Sequence, residues 1–277
     1  MQRDVGAVDL FQSLVPESLA MVVALLTQLG ALWFAGFVLA GVYLFHDRED
    51  AVVIGGLLIA STAIWRAIKD AYRLPRPEQP LVAVESLPEL LQPVFQYAVV
   101  NSGPGFPSGH AMTGTVVYFL LAEYLPVSTR RRRYTAAVGL VALVGATRIT
   151  LGVHYLVDVI VGAALAQLLI LGAGRILGRH PDRRATLAVL IGVCFAGLGL
   201  LVNLLVDPIN PKDVLIVTAS VTLLGWWEVV VRHGWKPPSA TVRSLPPTVF
   251  KTAFGAVIAA QVAFGLLAFG VHTIALG

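Results

Sequence analysis

Cations and imidazoles in this chain of 277 residues gather in three short stretches. Lys69 is followed by six residues and then Arg76-Pro77; Pro107-Ser108-Gly109-His110 comes next; Thr147-Arg148 is followed by five residues, His154, three residues and Asp158. Fixed positive charge in or beside lipid costs on the order of several kcal/mol unless it is paired or hydrated. Lys69, Arg76 and Arg148 together therefore imply an anionic guest, and phosphate suits them. Guanidinium forks bind its oxygens in pairs, and lysine adds a compact charge. Ser108 is placed to cap a helix whose free N–H groups at Gly109 and His110 form an anion site in their own right. Gly109 would let backbone come close to that anion. His154 and Asp158 are four apart, so on a helix they share a face. The carboxylate can then hold one ring nitrogen while the other is free to attack phosphorus. A continuous helix would point Arg148 well away from His154, so Gly152 is expected to break it between them.

These three blocks resemble the pattern of the type 2 phosphatidic acid phosphatases, a family that also takes in lipid phosphate phosphatases and vanadium haloperoxidases. Every position matches except Thr147, where the family usually has serine. The resemblance spans roughly Lys69 to Asp158, and the family core usually has one more helix ahead of the first block than this chain shows. It implies an all-α phosphatidic acid phosphatase-like core in which Lys69, Arg76 and Arg148 clamp phosphate, with Ser108 and Gly109 beside them. His110 would give a proton to the leaving alkoxide. A phosphohistidine would form on His154, oriented by Asp158, with no metal and no cofactor. The substrate would be a phosphomonoester or pyrophosphate of a lipid, such as phosphatidic acid, a phosphatidylglycerol phosphate or a polyprenyl pyrophosphate.

Other readings stay in view. A zinc ion on His110, His154 and Asp158 is chemically conceivable, but the surrounding cations would repel it. The same site could transfer the phosphoryl group to another lipid or sugar, or bind vanadate and oxidise halide, the last disfavoured by the membrane setting. Intramembrane charges could also belong to a transporter of phosphorylated lipid or anion.

The elements that must position these residues are apolar. The chain is 57% hydrophobic and only 13% charged, with mean hydropathy +0.78, whereas soluble domains carry about a quarter charged residues. Runs long enough to cross about 30 Å of hydrocarbon predict eight helices: Leu19 to Phe45, Ala51 to Ile68, Ser108 to Leu125, Tyr134 to Thr150, Tyr155 to Leu177, Ala185 to Val206, Val214 to Val231 and Val249 to Leu276. This is an all-α, polytopic transmembrane bundle. It divides into an N-terminal extracytoplasmic segment (1–18), a core holding the three blocks (19–177) and three further helices (178–277).

Thirteen of the 20 Lys and Arg residues fall in the connections 46–50, 128–133, 175–184 and 232–251. The positive-inside rule puts these in the cytoplasm. The three blocks then face the extracytoplasmic side of a cell membrane. The net charge of +4 is explained by that orientation, without a nucleic-acid partner. Residues 1–16 lack the pattern of a removable signal peptide.

Residues 87–98 carry an apolar stripe, with Pro93 expected to kink it. The segment fits either an interfacial helix or one packed on its own protein. The lone Cys194, inside an apolar run, is a packing residue; Gly162 and Ala166 read as helix contacts. Arg66 is expected to snorkel, Arg73 either to tune the site or to snorkel, Trp226 and Trp227 to anchor at the interface, and Arg130 to Arg133 to signal topology and touch anionic headgroups.

Overall fold

The computed structural model describes residues 3, 5–99, 103–206 and 211–232, and among these all regular structure is helical. Ten α-helices follow one another: α1 (Ala7–Ser13), α2 (Ala20–Leu26), α3 (Leu32–Phe45), α4 (Arg48–Tyr72), α5 (Gln92–Val99), α6 (Gly109–Tyr124), α7 (Arg130–Thr150), α8 (Leu156–Arg179), α9 (Arg184–Val206) and α10 (Pro211–Arg232). The segments Arg48–Tyr72, Leu156–Arg179 and Pro181–Val206 are each long and apolar enough to cross a membrane. They mark a membrane protein. The expected eighth helix, Val249 to Leu276, lies outside the described residues.

The bundle core is built where α4, α6, α8 and α9 meet, around Ile54, Leu57, Met112, Val116, Ala166 and Val189. In lipid, helices associate through close packing, which small residues permit. A Cβ on Gly56 would lie 2.6 Å from the Ala188 carbonyl, and one on Gly192 would lie 2.7 Å from the Gly56 carbonyl, so α4 and α9 touch backbone to backbone.

The two ends of the bundle differ in charge. At one, Arg184 of α9 pairs with Glu49 (3.1 Å) and Asp50 (2.8 Å) and lies over the Tyr124 ring, joining the connections 46–50 and 175–184. Arg133, from the basic run 130–133, donates to the Ala122 carbonyl at 2.8 Å at this same end, and Arg130 pairs with Glu123 at 3.6 Å. The three blocks occupy the other end.

Three expectations are corrected. The apolar run from Leu19 to Phe45 is two helices: α2 tightens into a 3-10 turn at Thr27–Gly30, and Ala31 is extended (φ −76°, ψ 146°). Gly30 abuts α6 and α7, where a Cβ would lie 2.9 Å from the His110 carbonyl and 2.6 Å from Val144 Cγ1. Tertiary contact overrides the apolar pattern there. Pro93 does not kink a helix, because α5 begins at Gln92 and the proline falls in the first turn, where its missing N–H has no partner to lose. The helix buries Phe95 and Ala98 against Ala20, Val23 and Ala24 of α2, as a helix packed on its own protein does.

Arg66 does not snorkel. Its Nε donates to Asp213 Oδ1 of α10 at 2.6 Å, and Asn203 of α9 donates to the other oxygen of that carboxylate. A buried acid on a neighbouring helix offers the guanidinium a partner that the interface does not. Trp227 is tied inward, its Nε1 donating to Thr186 Oγ1 at 3.1 Å, and Trp226 lies against Tyr43 with ring centroids 5.8 Å apart.

Candidate active site

The first block closes α4. Lys69, in the last turn, is buried and donates to the Pro104 carbonyl at 2.6 Å, its ammonium 5.6 Å above the Trp65 ring. Arg73 ends the helix in the left-handed region (φ 47°), its N–H on the Lys69 carbonyl, and its side chain donates to the Asp70 carbonyl. The chain then runs extended past Arg76, whose guanidinium is caged by backbone carbonyls: Nε on Gly103 (3.0 Å), Nη1 on Val153 (2.8 Å) and Nη2 on Pro104 (3.3 Å). Lys69 and Arg76 thus share the Pro104 oxygen, from stretches seven positions apart in sequence.

The second block opens α6 as the sequence predicts. Ser108 caps the helix through its side-chain oxygen, which accepts from the Ala111 N–H at 3.4 Å, and its own N–H donates to the Asp158 carbonyl at 2.9 Å. At Gly109 the close neighbour is different from the one expected. A Cβ there would meet the Trp65 indole at 3.2 Å, so the missing side chain admits α4. Gly162 does the same for α8, where a Cβ would lie 2.7 Å from the Ser108 carbonyl.

The third block ends α7 and begins α8, and Gly152 separates them with φ +67°. A Cβ at this position would sit 1.9 Å from the Gln79 carbonyl, so the turn needs glycine twice over. Thr147 turns its hydroxyl back on the Val144 carbonyl at 2.7 Å, a bond that serine makes equally well in a helix. Arg148 is 1% exposed; its Nη1 donates to Thr27 Oγ1 and to the Ala98 carbonyl, both at 3.2 Å.

His154 lies between two of these groups. Its Nε2 is 3.3 Å from Arg76 Nη1, and its Nδ1 is 3.5 Å from Asp158 Oδ2. The second distance is longer than a hydrogen bond, and Oδ2 already accepts the Tyr155 N–H at 3.0 Å. Burial, reinforced by the charges of Arg148, Arg76 and Lys69, holds the His154 imidazole well below its usual titration range and therefore neutral. His110, in the first turn of α6, is within electrostatic reach of the same three cations and of His154. The structure thus brings all three blocks to one end of the bundle. Among the described residues, no three His, Cys, Asp or Glu side chains form a group suited to a metal ion.

Sequence reasoning missed Thr27 and the carbonyls of Ala98, Gly103 and Pro104, which hold the cations. A carbonyl's role leaves no trace in residue type, although Thr27, a polar residue inside an apolar run, was a signal.

Comparison with known proteins bears directly on this geometry. Residues 50–182 match the model of the PAP2 superfamily. All three blocks lie inside that PAP2 match, so the resemblance read from them is shown. The chain is also similar to phosphatidylglycerophosphatase B of Bacillus subtilis (strain 168), at 37% identity over 87 residues. That alignment takes in 29% of this chain and 43% of the relative, so the chain spans less than half of the relative's length. No solved structure matches the chain.

Proposed function

We propose that this protein is a membrane lipid phosphatase of the PAP2 type, hydrolysing a phosphomonoester or pyrophosphate of a lipid through a phosphohistidine on His154. The observation that carries the reading is the buried His154 ring, with Nε2 toward Arg76 and Nδ1 toward Asp158. Lys69, Arg76 and Arg148 bind the phosphate oxygens and stabilise the charge that spreads over them as the phosphoryl group moves. The His154 Nε2–P bond forms as the P–O bond to the lipid breaks, and His110, which takes up a proton beside the bound phosphate dianion, delivers that proton to the departing alkoxide. Water then attacks phosphorus, His110 takes its proton, the P–N bond breaks and phosphate leaves. The basic connections at the opposite end support an extracytoplasmic site in a multi-pass arrangement.

The name of the Bacillus subtilis relative makes a phosphatidylglycerol phosphate the first substrate to try. The test is phosphate release from a panel of lipid monophosphates and diphosphates in detergent micelles, with and without EDTA. Release from at least one lipid, unchanged by EDTA, is the expected result. No release from any of them, or full loss with EDTA, would overturn the reading.

Gly152→Ala is expected to lower kcat/KM about 100-fold, the cost of displacing a reacting group by roughly 1 Å. The new methyl must push Gln79 away, and with it the extended stretch that carries Arg76. The same assay checks it, and parent-like activity in Gly152→Ala would contradict the assignment of this turn.

A further inference from the structure

We propose that Arg3 is a positioning residue for Asp158, and that Arg3 and α1 form a wall of the site. This deepens the proposed function and rests on it. Arg3 Nη1 pairs with Asp158 Oδ1 at 2.8 Å, its Nη2 donates to the Pro75 carbonyl, and its guanidinium lies 4.9 Å from the Tyr155 ring centroid. Two of these contacts fall on chain neighbours of site residues, since Pro75 precedes Arg76 and Tyr155 follows His154. The third falls on a site residue itself.

The helix that follows repeats the pattern. Val8 of α1, 1% exposed, packs with Ala111, Ile149 and Val159, and each of these follows a site residue: His110, Arg148 and Asp158. Gln12 donates to the carbonyls of Gln79 (2.9 Å), which packs against Gly152, and of Thr150 (3.2 Å), which precedes that turn. Arg3 and α1, with no residue in the three blocks, therefore touch the first and third of them and the residue that follows the second.

The physical role follows from the state of Asp158. Its carboxylate is 0% exposed, and a buried charge needs a partner. Lys69 acts on it only at a distance, whereas Arg3 makes the direct ion pair. With Oδ1 held by Arg3 and Oδ2 held by the Tyr155 N–H, the carboxylate cannot rotate, and Oδ2 faces His154 Nδ1. At 3.5 Å that oxygen favours the proton on Nδ1 by its charge, and Arg76 Nη1, 3.3 Å from Nε2, favours the lone pair there. Without Arg3 the carboxylate keeps only the Tyr155 N–H and loses the charge that fixes its second oxygen. Lys69, Arg76 and Arg148 keep their own partners, so phosphate binding survives.

The test uses full-length protein in detergent micelles and compares the parent, Arg3→Gln and Arg3→Lys. With the best lipid phosphate as substrate, Arg3→Gln is expected to lower kcat about tenfold with KM within about twofold, and Arg3→Lys to recover most of the loss. In parallel, the ¹⁵N shifts of the His154 ring report its tautomer without any turnover. The parent should show a single Nδ1–H form and Arg3→Gln a mixture. An unchanged His154 tautomer in Arg3→Gln, or a loss expressed in KM alone, overturns the inference. A parent that hydrolyses no lipid phosphate sinks the proposed function, and the tautomer measurement still decides the role of Arg3.

Discussion

His154→Ala is expected to lower kcat for lipid phosphate hydrolysis by about 10⁶-fold, the scale seen when a nucleophile is removed from an otherwise intact site. KM should change little, because the cations that hold phosphate keep the carbonyl and hydroxyl partners that fix them: Pro104 for Lys69, Gly103, Val153 and Pro104 for Arg76, Thr27 and Ala98 for Arg148. The folded state should survive too, since alanine leaves the Arg76 bond to the Val153 carbonyl and the Asp158 pair with Arg3 in place. The check is phosphate release by purified variant beside its thermal unfolding midpoint. Activity above about a hundredth of the parent's, in a folded His154→Ala protein, would be incompatible with covalent catalysis at this residue.

Asp213→Leu carries the largest expected effect on stability. Arg66 and Asp213 form an ion pair between α4 and α10 with side chains 13% and 6% exposed, and Asn203 donates to the second carboxylate oxygen. Removing one member of a buried pair leaves the other charge uncompensated, at a cost of about 3–5 kcal/mol. Removing both should be far milder, because well-packed apolar residues replace a buried pair at little net cost. Asp213→Leu is therefore expected to unfold at markedly lower denaturant concentration than the parent, and Arg66→Met combined with Asp213→Leu to regain most of the difference. A single variant as stable as the parent, or a double variant no better than the single, would show that the pair does not fasten α10 to the core.

The chemistry-bearing residues were legible in the sequence because their spacing encodes local geometry. Ser108 signals a helix entry by its type, whereas His154 and Asp158 do not share a helical face as their spacing suggests: His154 lies in the bend ahead of α8 and meets Asp158 of its first turn across the N-cap. Gly152 announces the break that lets Arg148 and His154 belong to one site. Where the controlling contact is distant, nothing local records it. Arg3 meets Asp158 across 155 positions and Arg66 meets Asp213 across 147, so an isolated arginine in a polar leader and another near a helix end gave no hint of their partners. The break at Ala31 was hidden for a related reason. Apolar composition says that a stretch is buried in lipid or protein, but the close approach of Gly30 to α6 and α7 decides that its axis must turn.

The most direct test of the central claim is to trap the covalent intermediate. Full-length protein is mixed with a ³²P-labelled lipid phosphate, quenched within milliseconds in alkali, which preserves phosphohistidine, and digested to locate the label. The account predicts label on the peptide containing His154 during turnover, and none in His154→Ala. Turnover in the parent with no protein-bound label, or label retained after His154 is replaced, would contradict it.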